Sequence, residues 1–199
     1  MNVVGLIDAG GANLGSVRYA LERLGADVRI VRDTHHLAEC ERVVLPGVGA
    51  AAPAMALLHA RGLDAALRVT TLPLLGICLG MQLLFEYSEE GDVACLGRLR
   101  GRVQRMVSSD GVRVPHMGWN RLRHERPSAL TDRIADGEQA YFVHAYSVPV
   151  DAACIASCGH GERFSAVVGQ GSTWGVQFHP ERSASTGARL LSNFLAMPS

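Results

Sequence analysis

Cys78 stands in the run Pro73-Leu74-Leu75-Gly76-Ile77-Cys78-Leu79-Gly80-Met81-Gln82-Leu83-Leu84. An apolar, strand-like stretch meets Gly-x-Cys-x-Gly there, and a helical pattern follows at once. This is the thiol form of the strand–nucleophile–helix elbow, whose serine form is Gly-x-Ser-x-Gly. A nucleophile on such a turn needs strained backbone, and a Cβ on either flank would clash, so glycines belong on both sides. The turn would present the sulfur at the carboxyl edge of a sheet and at the N-terminus of the next helix, where unpaired N–H groups favour thiolate. A buried free cysteine between glycines is the plainer reading, so the assignment calls for partners elsewhere in the chain.

Three segments offer them. In Val176-Gln177-Phe178-His179-Pro180-Glu181, an imidazole at a strand end can relay protons to and from sulfur. The Glu181 carboxylate two residues on can fix its tautomer, and Pro180 stiffens the turn between them. In Leu45-Pro46-Gly47-Val48-Gly49, glycines after a strand allow the close backbone approach that an oxyanion hole requires. With the Leu79 N–H behind the nucleophile, the Gly49 region would complete that hole. The third pair, Pro115-His116-Met117-Gly118-Trp119-Asn120 and Tyr141-Phe142-Val143-His144-Ala145-Tyr146, is dense in rings for a chain with 6% aromatics. Such segments could line a small-ligand pocket, form a partner surface, or pack as core aromatics with satisfied histidines.

Two other patterns lead nowhere. Gly10-Gly11-Ala12-Asn13-Leu14 after the first strand lacks the glycine spacing of a dinucleotide turn. Cys154, Cys158 and His160 have no second Cys/His pair at finger spacing, so no metal is expected.

The elements that must hold these groups alternate through the first half. Val3–Ile7 reads as a buried strand, and Asn13 is placed to cap a helix carrying Leu14, Val17, Leu21 and Leu24 at helical spacing. Gly25 ends that helix, residues 28–31 and 43–45 read as further strands, and a helix is expected around Met55, Leu58 and Leu63. The elbow strand follows, with its helix running to about Tyr87. From Gly97 onward the pattern predicts short β pieces over 102–106, 112–114, 139–143, 166–170 and 174–178, then a helix over 187–195. Buried parallel strands followed by antiparallel ones imply one mixed central sheet covered by helices.

A length of 199 residues suits one core. Lys+Arg and Asp+Glu both number 19, which leaves no basic field to attract nucleic acid or anionic membrane. The local cluster Arg98, Arg100, Arg102 and Arg105 reads as a solvated strand face or an interface. Five cysteines in no framework spacing fit a reduced, cytoplasmic setting. Met1 leads into an apolar strand without a charged n-region, and no apolar run approaches the ~18–20 residues of a membrane span.

Gly76-Ile77-Cys78-Leu79-Gly80-Met81-Gln82 followed by His179-Pro180-Glu181 resembles the class I (triad) glutamine amidotransferases. Within that superfamily, Pro46–Gly49, Pro115–Asn120 and Tyr141–His144 together resemble the glutaminase subunits of imidazole glycerol phosphate synthases, and the similarity covers essentially the whole chain. It implies a single flavodoxin-like α/β domain over 1–199, with a mixed central sheet flanked by helices. It implies L-glutamine hydrolysis by a Cys78–His179–Glu181 triad without a cofactor, with oxyanion donors at Gly49 and Leu79. Gln82, His144, Ala145 and Tyr146 would position glutamine. Asn13 and the His116, Met117, Gly118, Trp119 and Asn120 segment would face the partner or the ammonia channel. That partner is a (β/α)8-barrel cyclase subunit, which uses the ammonia to make imidazole glycerol phosphate and an aminoimidazole carboxamide ribotide.

The chain departs from the family at two places. Ala9-Gly10-Gly11-Ala12-Asn13-Leu14 stands where Tyr-Gly-x-Gly-Asn-Leu is usual, and Ala145 replaces a serine. Both changes bear on glutamine affinity or docking and leave the triad whole. Glutaminase subunits for aminobenzoate, anthranilate or pyridoxal phosphate synthesis share the elbow and triad, and only Pro115–Asn120 argues against them. A non-catalytic scaffold would be marked by a missing Cys, His or Glu, and all three are present.

Overall fold

The structure, a computed structural model, describes residues 3–10 and 13–198. The strands are β1 (Val3–Ile7), β2 (Asp27–Val31), β3 (Arg42–Gly47), β4 (Leu74–Cys78), β5 (Tyr87–Ser88), β6 (Val93–Ala94), β7 (Arg102–Arg105), β8 (His116–Arg121), β9 (Arg123–His124), β10 (Gln139–His144), β11 (Tyr146–Ser147), β12 (Cys154–His160), β13 (Glu162–Gln170) and β14 (Thr173–Val176). The helices are α1 (Leu14–Glu22), α2 (Thr34–Ala38), α3 (Ala51–Ala60), α4 (Leu63–Val69), α5 (Leu79–Leu83) and α6 (Ala184–Leu195).

The main sheet has the order β2-β1-β3-β4-β14-β13-β12-β9. The strands from β2 to β14 run parallel, and β13, β12 and β9 extend the sheet antiparallel, so it is mixed as the sequence pattern implies. Alternation along each parallel strand divides the core into two layers. Leu6, Val44 and Leu75 join one layer with Val17 and Leu21 of α1 and Leu190 and Phe194 of α6. Their neighbours Ile7, Val43, Leu45 and Leu74 join the other with Leu58 of α3, Leu63 and Leu67 of α4, and Leu79 and Leu83 of α5. Burial on both faces is why β3 and β4 are buried at every position. No helix among the described residues is long and apolar enough to cross a membrane.

Several elements differ from the pattern. The elbow helix stops at Leu83 instead of reaching Tyr87, because the next carbonyls are claimed by a loop. The carbonyls of Leu83, Leu84 and Phe85 accept from the N–H groups of Leu96, Leu99 and Gly97 at 2.9, 2.9 and 2.8 Å. The helix expected around Met55, Leu58 and Leu63 is two, α3 and α4, parted at Arg61 and Gly62. The last helix begins three residues earlier than expected, at Ala184. Residues 112–114 form no strand, only a bridge between Ser109 and Val112. Asn13 occupies the N-cap position of α1 but makes no side-chain cap bond, its amide being held elsewhere. The Gly11-Ala12 part of the first turn lies outside the described residues. Arg98 is not part of a solvated face: its guanidinium donates to Thr173 Oγ1 at 2.8 Å and to the Arg68 carbonyl at 2.9 Å.

The tightest packing is behind the elbow. A Cβ on Gly80 would lie 1.7 Å from the Leu45 carbonyl oxygen, and one on Gly76 would lie 2.6 Å from the Gly80 oxygen and the Met81 nitrogen. Backbone meets backbone in both cases, so no side chain can yield. Gly80→Ala should therefore cost at least about 3 kcal/mol, beyond ordinary overpacking. Urea unfolding of the variant measures this, and parent-like stability would mean that α5 is free to move off β3.

Candidate active site

Cys78 closes β4 and occupies the N-cap position of α5, with φ 53° and ψ −111°. Such a conformation costs a non-glycine residue about 1–3 kcal/mol and persists only where the surroundings dictate it. Here they do: β4 pairs in register with β3, Gly47 opposite Cys78, and with β14, Val176 opposite Ile77. Because α5 is only five residues long, its dipole is a minor charge partner for the sulfur. The major one is an imidazole.

β14 leads past Val176 into Gln177, Phe178 and His179, which brings His179 onto the same cleft as Cys78, close enough for the two side chains to interact electrostatically. His179 Nδ1 lies 2.8 Å from Glu181 Oε1, with both side chains almost fully buried. A carboxylate can only accept, so Nδ1 carries a proton and Nε2 is the nitrogen that serves the sulfur. Burial alone would lower the His179 pKa, but the hydrogen bonds and charges of Cys78 and Glu181 outweigh it and raise it to about 10. Asn13 Nδ2 donates to the same Glu181 oxygen at 2.6 Å. Its 3.4 Å approach to His179 Nδ1 sets donor beside donor, so the bond it makes is to Glu181. The turn is held from behind: Ser183 Oγ donates to the His179 carbonyl at 2.7 Å, and the Pro180 carbonyl lies where a Cβ on Gly187 of α6 would be.

Cys78 and His179 open on a cleft of about 180 Å³. Val48, Gly49 and Leu79 form one wall, and Val143, His144, Ala145 and Tyr146 form the other, with Gln82 and Glu90 completing it. Gly49 has φ +103°, which a side chain would resist. Leu79 is the first residue of α5, where helix N–H groups have no partner within the helix. Gln82 Nε2 donates to the Tyr146 carbonyl at 2.9 Å and to Gln177 Oε1 at 3.0 Å. Gln177 Nε2 in turn lies 3.8 Å from Cys78 Sγ.

Glu90 and Gln177 carry no role in the sequence reading. Glu90 belongs to Glu89-Glu90-Gly91, which looks like any solvated turn, yet its carboxylate accepts the Ala51 N–H at 3.1 Å and burial pushes its pKa up. Gln177 sits inside the triad motif, and the missed signal was its amide in a strand otherwise apolar on both sides.

β8 and β10 form a separate antiparallel ribbon, with His116 opposite His144 and Trp119 opposite Tyr141. Met117 and Trp119 are 65% and 51% exposed, whereas His116 points inward and is buried. Gly118 lies between them, and the Asn120 amide turns in toward His116. Burial lowers the pKa of His144 to about 3 and of His116 to about 4. Cys154 and Cys158, on a β12 strand that the pattern did not predict, are buried with their thiols on the carbonyls of Ala156 and Arg121.

The chain has relatives among known proteins. The family described as glutamine amidotransferase class-I matches residues 5–197. The imidazole glycerol phosphate synthase subunit HisH of Xanthomonas oryzae pv. oryzae is 61% identical over 197 residues, covering 99% of this chain and 98% of the relative. The subunit of the same name from Xylella fastidiosa is 59% identical over the same share of each. Among solved structures, a glutamine amidotransferase superposes with a TM-score of 0.76 at 24% identity over 96% of both chains. A PurLQS structure from Thermotoga maritima gives 0.72 at 22% identity over 97% of both. These last two bear on the fold.

Two outcomes follow from the site's electrostatics. All five cysteines are buried, but Cys78 alone of them lines the cleft, and burial raises the other four thiols, Cys95 to about 11 and Cys158 to about 12. Iodoacetamide at neutral pH should therefore add once, at Cys78, and peptide mapping that finds label spread over the five thiols would contradict the site. The second concerns acid. Unfolded histidines take up protons near pH 6.5, while His116 and His144 in the fold do not until about 4 and 3. The unfolded state binds more protons in that window, so the pair's contribution to stability is full above about pH 6.5 and is lost as pH drops toward 3. Thermal unfolding from pH 7 to 4 should show Tm falling by several degrees, and the slope should shrink in His116→Leu. An unchanged slope would contradict the buried neutral pair.

Proposed function

The chain belongs to the class-I glutamine amidotransferase family, and we propose that it is the glutaminase subunit of an imidazole glycerol phosphate synthase. The observation that carries the reaction is the Cys78–His179–Glu181 arrangement at a cleft sized for an amino acid. Near-complete coverage at 61% identity by relatives named for that synthase supports the pathway assignment.

In this reading the Cys78 thiolate attacks the side-chain carboxamide carbon of L-glutamine. The N–H groups of Leu79 and of the Gly49 loop receive the oxyanion. His179, which holds a proton well above neutral pH, protonates the departing nitrogen, and ammonia leaves a glutamyl thioester. The now neutral imidazole takes a proton from water, whose oxygen attacks the thioester and releases glutamate and the Cys78 thiolate. Glu181 stabilises the imidazolium and fixes its tautomer, and Asn13 in turn orients Glu181. The Glu90 carboxylate suits the α-ammonium of the substrate. Both N–H bonds of Gln82 are committed, so its oxygen is the group left to accept from the ligand.

Ammonia would pass to a (β/α)8-barrel cyclase subunit in the same complex. Met117 and Trp119, exposed on the β8 ribbon, supply apolar surface for docking it. Five unpaired thiols accord with a reducing, cytoplasmic compartment.

Glycine at 49 gives the oxyanion loop a peptide that can turn, and one misdirected donor costs roughly 10²–10³-fold in rate. A cyclase that binds the donor-inward conformer better would raise that rate by its differential affinity. The test measures glutamine turnover by the chain alone, with the cyclase, and with the cyclase and its substrate. Turnover should rise in that order, and Cys78→Ala should abolish glutamine-dependent synthesis while leaving synthesis from added ammonium intact. Full turnover by the isolated chain would point instead to a free-standing hydrolase.

A further inference from the structure

We propose that His116 is a positioning residue for the glutamine cleft: with His144 it forms a buried imidazole pair, each ring in its Nδ1–H tautomer, that fixes the Tyr146 carbonyl and through it the Gln82 amide. The direction of every bond follows from the two ends of the chain. At one end, His144 Nδ1 lies 2.9 Å from the Tyr146 carbonyl oxygen, which can only accept, so Nδ1 bears the hydrogen. Burial keeps His144 and His116 neutral near pH 7, with one ring proton each. His144 Nε2 is therefore a lone pair, and His116 Nδ1, 3.0 Å away, must donate to it. That leaves His116 Nε2 as an acceptor.

The other end supplies the matching donor. Asn120 Nδ2 lies 3.2 Å from His116 Nε2 and 2.8 Å from the Gly159 carbonyl, while Asn120 Oδ1 accepts the Arg121 N–H at 2.8 Å. The amide can face only one way, and it faces the way the imidazoles require. Phe142 stacks on His116 at 5.0 Å between centroids and Phe164 packs on the edge of His144 at 4.9 Å.

At the cleft, the Tyr146 carbonyl accepts from both His144 Nδ1 and Gln82 Nε2, which fills both lone pairs and fixes the peptide. Gln82 is thereby held with its second N–H on Gln177 and its oxygen free for the ligand. Without the His116 donor, the buried Nε2 lone pair of His144 has no partner, and the ring loses the bond that holds its Nδ1–H in line with the Tyr146 carbonyl. That wall meets the substrate equally in the ground and transition states, so the loss falls on KM and not on kcat.

The kinetic part rests on the glutaminase reading, whereas the tautomers do not. Ring-nitrogen NMR of the ¹⁵N-histidine-labelled wild-type chain, with His116 assigned from its missing signals in His116→Asn, should show Nδ1–H for both rings at neutral pH. An Nε2–H tautomer on either would overturn the proposal, and this measurement needs no variant to be active. In the complex with the cyclase, His116→Leu should raise the glutamine KM about tenfold, the worth of one positioning hydrogen bond, with kcat within about threefold. His116→Asn, whose Nδ2 stands where the Nδ1–H was, should return KM to within about threefold of wild type. An unchanged KM in folded His116→Leu, or equal losses in the Leu and Asn variants, would reduce His116 to packing. Failure of the wild-type complex to hydrolyse glutamine would sink the glutaminase reading alone.

Discussion

The contact between Gly80 and the Leu45 carbonyl governs the rest of the site. A helix that starts this close to the neighbouring strand leaves the intervening residue no relaxed conformation, and Cys78 is held at φ 53° as a result. The same contact explains why the nucleophile is flanked by glycines at two positions and not one. Gly80 admits the strand carbonyl, and Gly76 admits the first turn of the helix itself.

Parallel pairing then supplies the remaining groups. β4 lies between β3 and β14, all three run the same way, and so all three end at one edge. The Gly47–Gly49 loop emerges on one side of Cys78, and the segment leading to His179 emerges on the other. This is the carboxyl-end crevice at which open α/β sheets bind ligands. The assembly brings together residues more than a hundred positions apart with no long side chain reaching across.

Two histidines buried in the same cleft are shifted in opposite directions. His179 and His144 are 5% and 6% exposed, yet one is raised to about 10 and the other lowered to about 3. Countercharge makes the difference: His179 lies between a thiol and a carboxylate, whereas His144 has a carbonyl and another imidazole. One cleft can therefore hold a proton donor and a neutral wall side by side. Much of this is legible in the sequence, because the elbow, the His-Pro-Glu turn and the alternation of Leu6 with Ile7 or Leu74 with Leu75 are local patterns. The short α5, the unexpected β12 strand, and the parts played by Asn13, Glu90 and Gln177 are not. Each of these depends on pairing with a distant segment: the 95–99 loop for α5, β13 for β12, and Glu181, Ala51 and Gln82 for the three side chains.

The Pro115–Asn120 segment carries two kinds of residue because it is a strand. Side chains alternate across β8, so Met117 and Trp119 face outward while His116 faces the cleft wall. Six residues thus join a surface to a pocket, and the antiparallel register with β10 fixes which residue does which. A slip of one residue would bury Met117 and expose the imidazole, breaking both faces at once. The β8–β10 register is pinned at the cleft by the His116–His144 bond and at the surface by the edge-to-face packing of Trp119 on Tyr141. Any change that loosens the outer face is therefore felt at the His116–His144 bond, since the same two strands form both.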